Sequence, residues 1–195
     1  SDVCSSDLVA LGSEEDMKWG FIDTTGHFIL NPTFDDAFFF HEGLVSVGMK
    51  SGGSLKYGYV DEAGKYIINP QFDITYGFSD GLASFRNGDS ENGKWGFVEK
   101  SGKISIPAQF DYVNDFVNGY SVVITRTKEK GEVRYKYGAI DKTGKYVINP
   151  QYEEMGNFSS GLFPVKQKGK WGFIDTSGKF IINPQYALAE DRKST

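Results

Sequence analysis

The sequence predicts an all-β fold made of tandem copies of one small antiparallel unit, and three observations carry that expectation. The 195-residue chain holds 24 glycines, 16 phenylalanines, 11 tyrosines and 3 tryptophans, a composition that favours turns and strands. Its apolar runs are short, alternate with polar residues and end at glycine or proline. A block opening on Trp-Gly or Tyr-Gly returns five times. No apolar run approaches the ~18 residues of a spanning helix, and a net charge of −5 offers no general basic face for nucleic acid.

The block is Trp19-Gly20-Phe21-Ile22-Asp23. It recurs as Tyr57-Gly58-Tyr59-Val60-Asp61, Trp95-Gly96-Phe97-Val98-Glu99, Tyr137-Gly138-Ala139-Ile140-Asp141 and Trp171-Gly172-Phe173-Ile174-Asp175. Each copy continues through Lys or His, a mostly apolar triplet, Asn-Pro (Pro-Ala in copy three) and an aromatic: Phe34, Phe72, Phe110, Tyr152, Tyr186. Nine residues later stands a glycine (Gly43, Gly81, Gly119, Gly161), with an aromatic three before it (Phe40, Phe78, Phe116, Phe158). From the leading Trp or Tyr to this glycine is 24 residues in every complete copy, yet the copies start 38, 38, 42 and 34 residues apart. All the length variation therefore falls in the connection that follows the glycine.

Within a copy, Trp-Gly-Phe-Ile-Asp alternates as a strand does. Asp-x-x-Gly then makes a turn, Asp bonding its own backbone and Gly supplying a positive φ. A second run such as Lys65-Tyr66-Ile67-Ile68 completes an antiparallel hairpin, which Asn-Pro is expected to end because proline has no donor. A third run opens at Gly-Leu, as in Gly43-Leu44-Val45-Ser46-Val47, and pairs with the next copy's Trp-Gly strand. Pro164 inside this run is tolerable only where its missing N–H faces no partner. The expected unit is a three-stranded meander with room for a short fourth strand around 72–78. Turns are expected around 38–42 and 187–190. The glycine after the Trp is expected to leave room for an aromatic from the adjacent copy.

These motifs resemble the WG-repeat (KWG-repeat) family, a bacterial repeat class. The match covers nearly all of residues 9–190, as copies starting near Trp19, Tyr57, Trp95, Tyr137 and Trp171 with the last one cut off. Tyr replaces Trp in copies two and four, and Ala139 replaces an aromatic, so a looser aromatic cluster is expected there. Pro107-Ala108 stands where the other copies read Asn-Pro, which predicts a different local geometry in copy three. A unit of about 35 residues cannot bury a core alone, so neighbours must share burial in a curved open array, solenoid-like or a partial propeller.

The two ends read differently. Residues 1–8 and 191–195 resemble translated sequencing adapter, which predicts a gene fragment and sets both ends aside from fold reasoning. The only cysteine, Cys4, then drops out, and any signal peptide would lie upstream, so no compartment is assigned.

Chemistry is thinly provided for. Asp23, Asp61, Glu99, Asp141 and Asp175 recur, but calcium needs six or more oxygens and each copy offers one fixed carboxylate, so they are expected to cap turns. The acidic pairs Asp35-Asp36 and Glu153-Glu154 are expected to be solvated surface outside the repeat register. His27 takes the place of Lys in the other copies, and neither it nor His41 stands in a zinc or triad spacing. No enzyme activity, metal or cofactor is therefore expected.

The aromatics at repeat positions are expected to be core, together with Gly20, Gly58, Gly96, Gly138 and Gly172 beside them. Phe38, Phe39 and Tyr76 lie off the register and are the candidate contact residues, along with the variable connections 51–56, 87–94, 127–136 and 167–170. The expected function is a non-catalytic scaffold that binds a protein partner through these connections. The alternative is a glycan or cell-envelope binding module appended to a larger protein. Missing neighbours at the ends of an array would also favour self-association.

Overall fold

The structure, a computed structural model, describes residues 7–14, 16–129 and 131–189. Residues 1–6 and 191–195, most of the two stretches set aside as adapter-like, lie outside it, as does Glu190 of the expected turn at 187–190. The chain divides into two compact units, Ser1–Gly93 with Phe97–Ile104 and Lys94–Gly96 with Ser105–Thr195.

The first unit opens with β1 (Asp7–Leu11), β2 (Lys18–Ile22) and β3 (Phe28–Phe34), a three-stranded antiparallel sheet in chain order. A second sheet follows as β4 (Asp36–His41), β5 (Leu44–Ser51), β6 (Ser54–Asp61) and β7 (Tyr66–Phe72). The third runs β8 (Ile74–Ser79), β9 (Leu82–Asn87), β10 (Lys94–Glu99) and β11 (Ile104–Phe110), of which Lys94–Gly96 and most of β11 are counted with the second unit. In the second unit a fourth sheet is formed by β12 (Tyr112–Val113), β13 (Tyr120–Glu129), β14 (Glu132–Asp141) and β15 (Tyr146–Tyr152). The fifth takes β16 (Glu154–Met155), β17 (Phe163–Gln167), β18 (Lys170–Ile174) and β19 (Phe180–Tyr186). The chain is all-β, and among the described residues no helix is long and apolar enough to cross a membrane.

Sheets two to five are thus four-stranded meanders, and the fourth strand is the leading one. It is six residues long in β4 and β8 but only two in β12 and β16. Sheet and sequence repeat are out of phase: a sheet takes its first two strands from one copy and its Trp-Gly hairpin from the next. The ladder Val45↔Val60, Ser46↔Tyr59, Val47↔Gly58 joins them, so consecutive copies are interlocked. Pro164 stands opposite Phe173 in β17, where β16 has already ended, and its carbonyl accepts the Gly156 N–H. Phe38 to His41, expected as a turn, are strand, and the reversal is confined to Glu42-Gly43. Both residues there have positive φ, 51° and 83°, the geometry of a two-residue turn whose twist suits its flanking strands.

Asn-Pro does not end the hairpin. Trp19 pairs with Phe34 and Phe21 with Leu30, so two steps along β2 oppose four along β3, and the strand bulges through Asn31-Pro32 before pairing again. The same shift separates Tyr57↔Phe72 from Tyr59↔Ile68, and Trp171↔Tyr186 from Phe173↔Ile182. A bulge hosts proline because residues inside it owe no hydrogen bond to the ladder.

This bulge also explains the glycine after the Trp. A Cβ on Gly20 would stand 2.6 Å from the Leu30 carbonyl oxygen and 2.7 Å from the Pro32 nitrogen. On Gly172 it would meet the Ile182 oxygen and Pro184 nitrogen at 2.6 and 2.7 Å. What needs the space is backbone of the same hairpin, not an aromatic of the adjacent copy as expected. Copy three, with its displaced proline, keeps the geometry: the Gly96 Cβ would meet the Ile106 oxygen at 2.5 Å and the Ala108 nitrogen at 2.7 Å. The bulge is set by the backbone, and the proline moves one place within it.

Within each unit a core cluster joins two consecutive sheets. In the first unit Phe21, Leu30 and Phe34 pack with Ala37, Val45, Val47 and Val60. Leu8 packs against this cluster from β1, opposite Phe21, so two residues set aside as adapter-like (Asp7 and Leu8) are part of a paired strand. In the second unit Val122, Ala139, Ile148 and Tyr152 pack with Met155, Phe163, Val165 and Ile174. Burying one such phenylalanine contributes ~2–3 kcal/mol, and each sheet gains it only from its neighbour. The repeat-position rings meet across consecutive sheets: Phe21 lies 5.0 Å from Phe40, and Tyr59 4.8 Å from Phe78. Where Ala139 supplies no ring, Phe158 packs instead on Tyr120 and Phe163 at 4.7 and 4.8 Å, so the cluster of copy four is rearranged rather than loose.

Candidate binding surface

The three aromatics singled out from the sequence occupy outer-strand bulges. Ala37 pairs with Val47 and Phe40 with Val45, which leaves one residue too many in β4 at Phe38-Phe39. The same irregularity between Thr75↔Phe85 and Phe78↔Ala83 places Tyr76-Gly77 at the matching position of β8. Bulges re-aim side chains, and here they gather rings. Phe38 lies 6.0 Å from Tyr76, edge to face, and 5.8 Å from Tyr57. Phe39 is 64% exposed and Tyr76 43%, while Phe38 is half-buried. The His41 ring fills the space where a Gly77 Cβ would stand.

Two partners of this cluster were not legible in the sequence. Tyr57 was read as core from its register; it is 6% exposed, and its hydroxyl donates to the Asp36 carboxylate at 2.5 Å. Burial, then the Asp36 carboxylate, push the Tyr57 phenol well above its ordinary range, so it remains a donor. The Tyr59 hydroxyl donates to the Tyr76 carbonyl and ties β8 to β6. The result is an aromatic shelf with a fixed polar edge, suited to an apolar side chain or to the face of a sugar.

The four recurring aspartates cap their turns as expected, whereas the Glu99 carboxylate accepts from the Ser101 hydroxyl and pairs with Lys103. Asp61 Oδ1 accepts the Ala63 and Lys65 N–H groups, Asp141 Oδ1 those of Thr143 and Lys145, and Asp175 Oδ1 those of Ser177 and Lys179. His27 is exposed and lies in the turn, its backbone N–H bonded to Asp23.

Asp35, by contrast, is largely buried rather than solvated, and Glu153, exposed as expected, shares its place in the repeat. Together with Asp73 and Asp111 they stand sixteen residues after the leading Trp or Tyr in every complete copy. The three aspartates are inter-sheet clasps, whereas Glu153 grips the turn of its own sheet. Asp35 accepts the Lys18 ammonium from β2 at 2.5 Å and the Lys50 N–H from β5 at 2.7 Å. Asp111 does the same with Lys94 and the Arg126 N–H, at 2.6 and 2.7 Å. Asp73 holds the Lys56 ammonium and the Gly88 N–H, and Glu153 accepts from the Lys168 and Gly169 N–H groups. The Lys56 ammonium, helped by the Gly88 N–H and opposed by partial burial, holds the Asp73 carboxyl below its ordinary value. The signal was the sixteen-residue offset, masked because an unrelated acid follows in two of the four copies.

The variable connections are mostly not loops. The β5–β6 ladder continues to Ser51↔Ser54 and turns at Gly52-Gly53; the β17–β18 ladder closes at Gln167↔Lys170 around Lys168-Gly169. Residues 88–93 form an irregular loop in which Asp89 caps the Glu91 and Asn92 N–H groups. The longest, β13–β14, projects as a regular ribbon from Thr125↔Lys136 to Glu129↔Glu132, with Val133 and Tyr135 48% and 42% exposed. Beside it lies an open groove of about 430 Å³ lined by Val133 to Tyr137 with Glu153 and Glu154.

A family model described as "WG containing repeat" matches residues 19–50, 57–90, 95–125, 137–171 and 171–191. No curated protein matches the sequence. Among solved structures, that of a eukaryotic initiation factor superposes over 91% of this chain and 50% of its own, with a TM-score of 0.59 and 11% identity. The chain thus spans half the length of that protein, and the likeness is one of fold. A tricorn protease (TM-score 0.32, 13% identity, 85% of this chain and 22% of its own) is too distant in structure to bear on this chain. So is an endo-arabinase from Bacteroides thetaiotaomicron VPI-5482 (TM-score 0.31, 9% identity, 95% of each chain).

Proposed function

The chain belongs to the WG-repeat family, and from that footing we propose that it is a non-catalytic scaffold that binds a protein partner through its variable connections. One observation supports this most. Turn and bulge repeat from copy to copy, while the connection changes from a two-residue turn at Gly52-Gly53 to a loop at 88–93 and a projecting ribbon of 125–129 paired with 132–136. Diversity concentrated on a constant frame is how recognition surfaces are built. Photo-crosslinking residues placed at Gly53, Asn92 and Lys168, in cells of the encoding organism, test it. The expected result is a discrete protein adduct from the connections and none from Lys65 in a constant turn. Equal, diffuse labelling from both would overturn it.

A second reading, glycan binding, has its own support in the Phe38–Tyr57–Tyr76 shelf and the exposed Phe39. Saturable binding on a glycan array, lost in Phe39→Ala and Tyr76→Ala, would favour it over the first.

A further inference from the structure

We propose that the β14 edge of the projecting ribbon, from Glu132 to Lys136, is a docking site where an extended, proline-free segment of a partner protein adds as one more antiparallel strand. The proposal rests on the protein-binding reading above and names the mode and the chemistry of the partner.

Hydrogen-bonding parity identifies the edge. In an antiparallel pair, alternate residues turn both backbone groups towards the partner strand or both away. On β13, the Val122 carbonyl accepts the Asn114 N–H and the Arg126 N–H donates to Asp111, so these residues face away from β14. Their register partners Ala139 and Tyr135 must then face away from β13, and with them Tyr137 and Val133. Tyr137 and Ala139 spend those groups on β15, opposite Tyr152 and Ile148. Beyond Tyr152 the chain leaves the sheet, since the Glu153 N–H donates to the Lys166 carbonyl. Among the described residues no strand pairs with β14 past Tyr137 on that side. The N–H and C=O groups of Tyr135 and Val133 therefore point outward along the 430 Å³ groove, in line with the β15 ladder.

Side chains specify the guest. Val133 and Tyr135 project on one face, where Tyr135 meets Tyr112 edge to face at 6.1 Å, and both tyrosines are more than 40% exposed. On the other face Arg134 bonds Glu132 at 3.2 Å, with Lys136 beyond it. A strand continuing the β15 direction enters beside Glu153 and Glu154 and runs towards the ribbon tip. Cross-strand pairing then asks for a basic residue at its leading end, acids opposite Lys136 and Arg134, and apolar residues opposite Tyr135 and Val133. Backbone bonds supply affinity and the alternation supplies specificity, as in other cases of strand addition.

The experiment pans a phage-displayed library of random dodecapeptides against the full chain, then measures synthetic winners by fluorescence anisotropy and amide hydrogen exchange. Expected winners lack proline and alternate apolar with acidic residues. Tyr135→Pro deletes an outward N–H and leaves the ladder to β13 intact, so it should weaken binding about tenfold or more with little change in melting temperature. In the free chain the Val133 and Tyr135 amides should exchange fast while those of Arg134 and Lys136 are protected; bound peptide should protect all four. Protection of Val133 and Tyr135 without peptide overturns the inference, as do winners indifferent to Tyr135→Pro. A dimer of the chain alone that Tyr135→Pro dissolves would instead make a second copy the occupant. Peptides that bind and protect the Phe39 surface overturn strand addition but leave the scaffold reading standing. A library that yields no binder overturns strand addition, and absence of crosslinked adducts from the connections brings down the scaffold reading as well.

Discussion

The two ends of β14 obey opposite rules. At Asp141 the strand turns through Asp-x-x-Gly, the Asp141 carboxylate capping Thr143 and Lys145, and a Cβ on Gly144 would press on Ile106 at 3.2 Å. The corresponding contacts are Gly64 on Leu30 at 3.0 Å and Gly178 on Ile148 at 3.6 Å. At its other end the same strand runs out into the ribbon, where Val133 and Tyr135 remain exposed. One end is fixed because the side chain of a preceding sheet rests on it; the other varies because it lies beyond the clasp. Constancy here tracks docking against a neighbour, not secondary structure, since both ends are regular hairpin.

That contrast can be broken in order of expected effect. Gly58→Val would drive a side chain into the Pro70 nitrogen, where a Cβ already stands 2.6 Å away. Backbone cannot yield as a flexible side chain does, so chemical denaturation should show a loss above about 3 kcal/mol. Survival with a loss under about 1 kcal/mol would mean the bulge is soft. Asp73→Asn should cost less, about 1–2 kcal/mol, by weakening its bonds to Lys56 and the Gly88 N–H.

The clasps also set a pH dependence. The Asp73 carboxyl is held low by Lys56, and the Asp35 and Asp111 carboxyls are held low by their lysine and N–H partners against the burial that would raise them. A depressed folded value means the contribution is complete above the unfolded aspartate range and drains away as pH falls through the folded one. Stability should therefore decline below about pH 4, and less steeply in Asp73→Asn, as thermal melts across that range would show. Asp141→Ala, which removes the cap of an exposed turn, should cost under about 1 kcal/mol in the same assay. The smallest effect belongs to the ribbon. Replacing 127–136 with the short Lys168-Gly169 type of turn should leave the melting temperature almost unchanged, and a large drop would show that the ribbon supports the core.

Much of the frame was legible because hairpins are local: alternation, Asp-x-x-Gly and the third run each declare themselves within a few residues. Contacts at longer range were not. The role of Gly20 depends on where Asn31-Pro32 folds back, and periodicity gives no hint of a bulge two residues deep. Proline read as a terminator because its missing donor is visible in sequence, whereas the bulge that excuses it is not. Asp35 looked like half of an acidic pair because its lysine lies seventeen residues away on another sheet. Phe38 and Tyr76 were found by breaking the register, yet the bulges that bring them together had no sequence signal.

The clasp has an evolutionary corollary. Each aspartate clasp grips the chain fifteen residues downstream, at Lys50, Gly88 or Arg126, where the hairpin becomes variable. Whatever is inserted after that point leaves and rejoins the frame at the same two positions. Insertions and deletions in one copy are therefore invisible to the others, so a lineage can try new outgrowths singly, each trial insulated from the last.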